Sequence, residues 1–120
     1  MSTALIVEDV QTDLMIFTSY LETLGWRVIV AMNGEEALTY LSTNTPDIVF
    51  LDVVLPGRSG FEICRTIKSQ IGTQKIPVVI CSTKNTDMDR FWGLKQGADL
   101  YLTKPVNRHD FIEVLQKLVN

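Results

Sequence analysis

Short runs of apolar residues alternate along the chain with longer segments in which apolar residues recur every three or four positions. The short runs predict strands, and the longer segments predict helices with one apolar face. Five pairs of strand and helix follow one another, with strands predicted over residues 5–7, 28–31, 48–51, 78–81 and 100–102. Apolar strands that alternate with helices predict an α/β fold, in which helices cover both faces of a parallel sheet.

Polar residues and glycines mark the ends of the predicted helices. Leu14, Phe17 and Leu21 share one face of the first helix, which should stop at Gly25. Asn33 is the predicted N-cap of the second helix, and the third begins near residue 60. The fourth covers about 86–96, and the fifth carries apolar residues at 111, 115 and 118. These elements use the whole chain, which predicts one domain over 1–120 without an output domain.

The fourth predicted helix has an ambiguous apolar face. Phe91 and Leu94 have the spacing of core residues, whereas Trp92 lies about 100° round the helix from Phe91. We expect Trp92 to belong to the core, with an exposed interface anchor as the alternative. Gly93 costs the helix about 1 kcal/mol relative to alanine, which indicates either close packing or a helix that moves.

The composition fits one soluble domain. Of the 120 residues, 46% are hydrophobic, which is enough for a single core. No run approaches the roughly 20 apolar residues of a membrane span, and Glu8 and Asp9 interrupt the N-terminal apolar run too early for a secretory signal. We therefore expect a cytoplasmic protein that does not bind membranes, and a monomer.

Charge and cysteine content argue against other classes of protein. The formal net charge of −3 and the pI near 5.0 do not fit a nucleic-acid-binding surface, which needs clustered lysine and arginine. Cys64 and Cys81 are isolated from each other and from any histidine, so we expect buried free thiols and no disulfide or metal cage. His109 has no second ligand at a metal-binding interval, and we expect it at the surface or as a helix cap.

Polar side chains follow four of the five predicted strands at the point where each strand ends. Glu8 and Asp9 follow the first strand, Asp52 the third, Ser82 the fourth and Lys104 the fifth. The carboxyl ends of parallel strands meet at one edge of the sheet, where α/β proteins bind their ligands. Three carboxylates at one edge repel each other, and they suit a hard cation such as Mg²⁺.

This set of groups is suited to phosphoryl transfer. A metal ion, Mg²⁺ or alternatively Mn²⁺, and the Lys104 ammonium would neutralise the charge of a phosphoryl group, to which the Ser82 hydroxyl would donate a hydrogen bond. Asp52 stands alone after the central strand, so it is the candidate nucleophile that would form an acyl phosphate. The sequence therefore predicts a phosphoacceptor aspartate beside a metal ion.

The residues at these strand ends resemble those of CheY-type response-regulator receiver domains, and the resemblance covers essentially the whole chain. It implies a flavodoxin-like (βα)5 fold with the strand order 2-1-3-4-5. The matching residues include a D-x-x-x-P-x-x-x-G run and a lysine-proline pair. They are Glu8, Asp9, Asp52, Pro56, Gly60, Ser82, Tyr101, Lys104 and Pro105.

The resemblance implies a metal-dependent signalling switch and not an enzyme in the ordinary sense. Asp52 would accept a phosphoryl group from a phosphohistidine of a histidine kinase or a histidine phosphotransfer protein. Mg²⁺ would be bound by Asp52 and Asp9, by Glu8 directly or through water, and by the backbone carbonyl of Val54. The Lys104-Pro105 peptide bond is commonly cis in this family.

The same resemblance implies how the phosphoryl group changes the shape of the protein. Ser82 would move to hydrogen-bond the phosphoryl group, Lys104 would pair with it, and Tyr101 would turn inward into the space that Ser82 leaves. The altered form would bind a downstream target through the face formed by the fourth helix, fifth strand and fifth helix. The residues expected on this partner surface are Trp92, Lys95, Tyr101 and Arg108.

Two details of the sequence refine this interpretation. Val54 and Lys84 stand where faster-dephosphorylating members often carry polar or acidic side chains. An apolar Val54 cannot orient an attacking water molecule, which predicts a persistent phosphorylated state. Without an output domain, the expected uses are chemotaxis-like or pilus-motility control, or relay of phosphate through a histidine phosphotransfer protein. The segment 91–99 is also similar to that of PilH-type motility regulators.

Other functions that use the same fold or chemistry have little support. A phosphatase of the haloacid dehalogenase class needs a second aspartate two residues after its nucleophile, where this chain has Val54. A flavin-binding module would need hydroxyls and amides after the first strand, where Glu8 and Asp9 place negative charge. No G-x-G-x-x-G follows that strand, as a Rossmann domain would require. The open alternative is a receiver-like interaction module that works without phosphorylation.

Overall fold

The computed structural model describes residues 1–119, which form a parallel five-stranded sheet between two layers of helices. The strands are β1 (Thr3–Val7), β2 (Arg27–Ala31), β3 (Ile48–Leu51), β4 (Val78–Ser82) and β5 (Leu100–Thr103). The helices are α1 (Gln11–Thr23), α2 (Gly34–Leu41), α3 (Gly60–Ser69), α4 (Asp87–Lys95) and α5 (Arg108–Leu118). The strands lie in the order β2-β1-β3-β4-β5, which confirms the expected flavodoxin-like fold.

The three central strands are apolar because both of their faces are covered. Every residue of β3 and β4 is buried, and so is every residue of β1 after Thr3. Successive side chains along a strand point to opposite faces, so Leu5 and Val7 pack in one layer while Ala4 and Ile6 pack in the other. The edge strands β2 and β5 keep several residues partly exposed.

Each layer of helices has its own apolar core. On one face, α2 and α3 cover the sheet with aliphatic side chains such as Leu41 and Ile67. On the other face, α1 and α5 meet around stacked aromatic rings. The ring centroids of Phe50 and Phe111 are 4.5 Å apart, and those of Phe17 and Phe111 are 5.4 Å apart. Aromatic contacts of this kind fix the position of α1, whose first turn lies beside the acidic edge of the sheet.

The helices begin and end close to the positions that the sequence indicates. The side chain of Asn33 accepts a hydrogen bond from the backbone N–H of Glu36 at 2.9 Å, which confirms this N-cap. Helix α1 ends at Thr23, two residues before Gly25. Within residues 1–119, no helix has the length and apolarity needed to cross a membrane.

The cysteines and the histidine lie where the sequence predicts. Cys64 and Cys81 are buried free thiols. Burial raises the pKa of Cys64 to about 11, and it raises the pKa of Cys81 further, so both thiols stay protonated and unreactive near neutral pH. His109 is exposed, with Nε2 at 3.5 Å from a carboxylate oxygen of Glu113 one helical turn away.

Helix α4 packs on the sheet almost without burying side chains. Of its nine residues, all within the described part of the chain, Gly93 alone is buried. Phe91, Trp92 and Leu94 are 58%, 48% and 49% exposed. The core interpretation of these three residues was therefore wrong.

The close approach of α4 at Gly93 explains this exposure. A Cβ atom built on Gly93 would lie 2.8 Å from Cδ2 of Tyr101 and 3.2 Å from Cδ1 of Ile80. The helix backbone itself therefore touches the sheet at residue 93. With the contact made there, the larger side chains on either side are left facing solvent.

We predict that Gly93→Ala destabilises the protein by about 1 kcal/mol. The alanine gains about 1 kcal/mol of helix propensity, but its Cβ must displace the Tyr101 ring, and overpacking of this kind costs about 1–3 kcal/mol. Urea unfolding of both proteins measures the difference. Gly72→Ala is the matched control, because nothing lies within 4 Å of a Cβ at that loop position. A more stable Gly93→Ala protein would show that α4 is not held by this contact.

Candidate functional site

Three carboxylates meet at the carboxyl edge of the sheet. One carboxylate oxygen from each of Glu8, Asp9 and Asp52 lies within 4.8 Å of the others. The strand register explains this, because Val7 pairs with Leu51 and the backbone N–H of Asp52 donates to the Val7 carbonyl at 3.0 Å. The acids that follow β1 and β3 are therefore adjacent, as the sequence predicts for residues that follow neighbouring parallel strands.

The ammonium group of Lys104 lies inside this acidic group. Lys104 follows β5, and its backbone N–H donates to the carbonyl of Ser82 at 2.9 Å. Its side chain is buried, and Nζ lies 2.5 Å from Oε1 of Glu8 and 3.4 Å from Oδ2 of Asp52. The carboxylate of Asp13 also contacts Lys104, with Oδ2 2.9 Å from the same nitrogen. One ammonium thus faces several carboxylates.

Asp13 belongs to this site, although the sequence analysis missed it. It stands in the first turn of α1, where a carboxylate also interacts favourably with the helix dipole. It follows Asp9 by four positions, so the turn of chain that enters the helix brings it back to the same edge of the sheet. This spacing is the signal that could have identified it.

The pKa values of the buried pair reflect burial and crowding of charge. Burial raises the pKa of Glu8 to about 7; the hydrogen bond from Lys104 opposes this shift without overcoming it, and the charge of Asp52 adds to it. For Lys104, burial lowers the pKa, but hydrogen bonds to Glu8 and Asp13 outweigh burial and leave its pKa above the ordinary value. The ammonium is therefore permanently charged, whereas Glu8 exchanges its proton near neutral pH.

Ser82 and Tyr101 both bond to the backbone of Lys84, just after β4. The fully buried Ser82 hydroxyl accepts a hydrogen bond from the Lys84 N–H at 3.2 Å. The Tyr101 hydroxyl donates to the Lys84 carbonyl at 2.7 Å, and the guanidinium of Arg90 lies 5.6 Å from the centroid of its ring. Burial raises the pKa of Tyr101, so the hydroxyl remains a donor. The Tyr101 ring is therefore buried while the Ser82 hydroxyl still bonds to Lys84, so its burial does not require Ser82 to move; an inward turn on phosphorylation stays a prediction.

The glycine of the D-x-x-x-P-x-x-x-G run holds the loop that carries Asp52. The Gly60 N–H donates to the carbonyl of Val53 at 2.8 Å. A Cβ on Gly60 would overlap the carbonyl oxygen of Asp52, so only glycine allows α3 to begin this close to the strand end. The Lys104-Pro105 peptide bond on the other side of the site is cis, as the resemblance implies.

The carboxylates open into a cleft of about 510 Å³. Val54 is exposed at its rim, and the sequence analysis did not identify its neighbour in the cleft, Thr83. The cleft is lined by Asp9, Val10, Asp13, Asp52, Val54, Leu55, Pro56, Thr83 and Lys104. A larger groove of about 800 Å³ between α1 and β2 contains a single ionisable side chain, Glu22, and so lacks converging chemical groups.

The donor set of the cleft fits a divalent cation that prefers oxygen ligands. Carboxylate oxygens at this spacing suit Mg²⁺, which usually takes one or two carboxylates and keeps several waters. Both oxygens of Glu8 already accept hydrogen bonds, from Lys104 and from the N–H of Val10 at 3.3 Å. Asp9 and Asp52 are therefore the better direct ligands, and Glu8 would contact the ion through water.

Comparison with known proteins identifies the family. The response regulator receiver domain family matches residues 4–116. The chain belongs to this family. Receiver domains are signalling switches of two-component systems, and they bind Mg²⁺ at an acidic site.

The curated relatives of this receiver domain include one of similar length and several longer proteins. The protein PilH of Pseudomonas aeruginosa is 39% identical over 120 residues, which cover 100% of this chain and 96% of PilH. Other curated relatives are longer, and the chain spans between 8% and 46% of their lengths.

Two solved structures are similar to the receiver domain over nearly its whole length. The phosphorylated cyanobacterial phytochrome response regulator RcpA has a TM-score of 0.84 and 28% identity, with 97% of this chain and 89% of that chain covered. The receiver domain of a sensor histidine kinase from Pseudomonas aeruginosa, solved with magnesium in its active-site cleft, has a TM-score of 0.90 and 26% identity, with 98% and 96% covered.

The residues expected on the partner surface of the receiver domain differ in their accessibility. Trp92 and Lys95 are exposed on α4. Arg108 is exposed on α5, but it donates a hydrogen bond to Oγ1 of Thr23 at 3.2 Å, which directs its side chain towards α1. Tyr101 is buried, so it offers little surface in this conformation. A partner surface that includes these residues stays a prediction.

We predict that the affinity of this receiver domain for Mg²⁺ rises about tenfold between about pH 6 and about pH 8. Because burial raises the pKa of Glu8 to about 7, its ionised fraction rises from about one tenth to about nine tenths over that range, and the ionised form attracts the cation. Isothermal titration calorimetry in buffers with different heats of ionisation measures both affinity and proton release. Glu8→Gln should bind more weakly and with little dependence on pH; an unchanged pH dependence would contradict this assignment.

Proposed function

We propose that this receiver domain is a phosphorylation-dependent switch. Asp52 accepts a phosphoryl group from a histidine kinase or a histidine phosphotransfer protein, in a reaction that requires Mg²⁺, and the phosphorylated form binds a partner protein differently. The observation that carries this proposal is the grouping of Asp52 with Glu8, Asp9 and the ammonium of Lys104. Glu8 lies beside the same groups, but both of its oxygens already accept hydrogen bonds, whereas Asp52 lines the open cleft, with Oδ2 3.4 Å from the ammonium.

The chemistry asked of the chain is mainly positioning and neutralisation of charge. A carboxylate oxygen of Asp52 forms a bond to phosphorus while the bond from phosphorus to the histidine nitrogen breaks. The imidazole leaves with the electron pair and takes up a proton. A bound Mg²⁺ ion would neutralise negative charge on the phosphoryl oxygens. Lys104 pairs with one of these oxygens, and the Ser82 hydroxyl donates a hydrogen bond to another.

Two solved relatives and one curated relative support this proposal. RcpA was solved in a phosphorylated form, and the receiver domain of the Pseudomonas aeruginosa kinase was solved with magnesium in its cleft. Both share the fold of this chain over nearly its whole length. The similarity to PilH favours a role in pilus or chemotaxis-like motility. We also propose that the protein is cytoplasmic and monomeric.

The exposed face of α4 supports an output surface on the α4-β5-α5 side of the molecule. Phe91, Trp92 and Leu94 leave large apolar area in solvent, and Lys95 lies beside Phe91, with Nζ 5.9 Å from the ring centroid. Aromatic side chains rimmed by charge are typical anchors of protein interfaces. We propose that the downstream target contacts this face.

We predict that the protein acquires one phosphoryl group when it is incubated with acetyl phosphate and Mg²⁺, and that Asp52→Asn does not. The adduct should be lost at high pH, because an acyl phosphate is labile to base, and intact-protein mass spectrometry detects it. Asp47→Asn is a matched control, since Asp47 lies immediately before β3, at the opposite end from the acidic cleft. If neither a small donor nor a cognate kinase phosphorylates the protein, the alternative of an interaction module without phosphorylation is correct.

We predict that the phosphorylated protein loses its phosphoryl group over minutes or longer and that Val54→Gln accelerates this loss at least about threefold. Val54 is exposed at the rim of the cleft and cannot hydrogen-bond a water molecule, whereas glutamine can orient one, although with less effect than the ~10² of a positioned acid-base group. The decay of the adduct is followed by mass spectrometry. Val54→Leu should resemble the unaltered protein, and rapid loss from the unaltered protein would contradict the prediction.

A further inference from the structure

Asp13 contacts Lys104 and lies outside the group of three acids that could hold a metal ion. We propose that Asp13 is a positioning residue that draws the Lys104 ammonium away from Asp52 and competes for it with a phosphoryl group there. The inference rests on the proposed function, because it concerns the phosphoryl group on Asp52. Asp13 would thereby set how strongly the site holds that group.

The contacts of Lys104 define the competition. An ammonium group has three N–H donors. Glu8 and Asp13 accept from it at 2.5 and 2.9 Å, whereas Oδ2 of Asp52 lies at 3.4 Å, beyond the usual length of such a bond. Its third N–H can donate to a phosphoryl oxygen on Asp52, but Nζ must move closer to Asp52 to do so, and that movement lengthens one of its two present hydrogen bonds.

Asp13 is the acceptor that Lys104 can leave. The side chain of Glu8 is 2% exposed, so its carboxylate would stay buried without a charged partner if the ammonium left it. The side chain of Asp13 is 27% exposed, so water can solvate its carboxylate once the ammonium has moved. The exchange thus takes place between Asp13 and the phosphoryl group, while Glu8 retains Lys104.

A simpler explanation is that Asp13 only stabilises α1. It lies in the first turn of the helix, and Val10 at the N-cap provides no side-chain hydrogen bond, so a negative charge there is favourable. Such a role would change the stability of the protein. It would not change the affinity for a phosphoryl group in a way that depends on Lys104.

Beryllofluoride, which binds carboxylates as a mimic of a phosphoryl group, provides the probe. It is titrated into the protein at saturating Mg²⁺, after the Mg²⁺ affinity of each variant has been measured separately. Asp13→Asn should bind beryllofluoride about threefold to tenfold more tightly, because Lys104 loses a competing partner. Asp13→Glu should restore the affinity of the unaltered protein, and Glu22→Gln, elsewhere on α1, should leave it unchanged.

A double-mutant cycle shows whether Asp13 acts through Lys104. In a Lys104→Met background, Asp13→Asn should change the beryllofluoride affinity less than about twofold. Lys104→Gln provides a second background if the methionine variant does not fold. The inference would be overturned if Asp13→Asn bound beryllofluoride as tightly as the unaltered protein or more weakly, or if it gained more than about twofold in both lysine-free backgrounds.

The same experiment separates this inference from the proposed function. If the unaltered protein does not bind beryllofluoride in the presence of Mg²⁺, the proposed function fails and the role of Asp13 fails with it. If the unaltered protein binds it and Asp52→Asn does not, the proposed function stands. Identical affinities in the unaltered protein and Asp13→Asn would then overturn the role of Asp13 alone.

Discussion

Glu8 is buried at the end of β1, and a carboxylate in that position needs a positive partner. Lys104 is that partner. It follows the edge strand β5, and its side chain extends past the end of β4 to the acids that follow β1 and β3. The strand order therefore determines which groups can meet. With Lys104 in place, Asp52 and Asp13 have the same ammonium within 3.4 and 2.9 Å.

The single ammonium does not balance the charge of this edge. Glu8, Asp9, Asp13 and Asp52 surround it, and the pKa of Glu8 rises to about 7 as a result of burial and of the neighbouring charge. Two events relieve this imbalance: uptake of a proton by Glu8, or the arrival of a divalent cation. An anionic phosphoryl group adds negative charge, so it becomes tolerable only where such a cation accompanies it. This explains why acids would gather around a residue that is proposed to receive an anion.

Much of this arrangement could be predicted from the sequence. The runs that became β1, β3 and β4 are apolar throughout because both faces of these strands are covered, and the polar residues directly after them meet because the strands are parallel. The strand order itself came from the resemblance, since periodicity does not say which strands are neighbours. Asp13 was missed because it lies in a helix, where a charged residue in the first turn is ordinary.

The error on α4 has a different physical origin. Helical spacing at Phe91 and Leu94 predicts a buried face only if side chains make the contact with the sheet. Here the backbone makes it at Gly93, against the ring of Tyr101, so the spacing pointed to the wrong face. A glycine in the middle of a short helix was the signal of close approach, and the sequence left open whether it meant packing or movement.

That contact also gives the site a physical route to the outer surface. Ser82 and Tyr101 share the backbone of Lys84 as hydrogen-bond partner, and the ring of Tyr101 lies against Gly93 of α4. If the Ser82 hydroxyl turns to a phosphoryl group, it gives up its bond to the Lys84 N–H, and the support of the loop before α4 changes. Since α4 is anchored by one small residue, while α1 buries Leu14, Phe17 and Leu21, α4 is the easier helix to displace. Its exposed aromatic residues would move with it, so a change at the acidic edge would alter the proposed output surface.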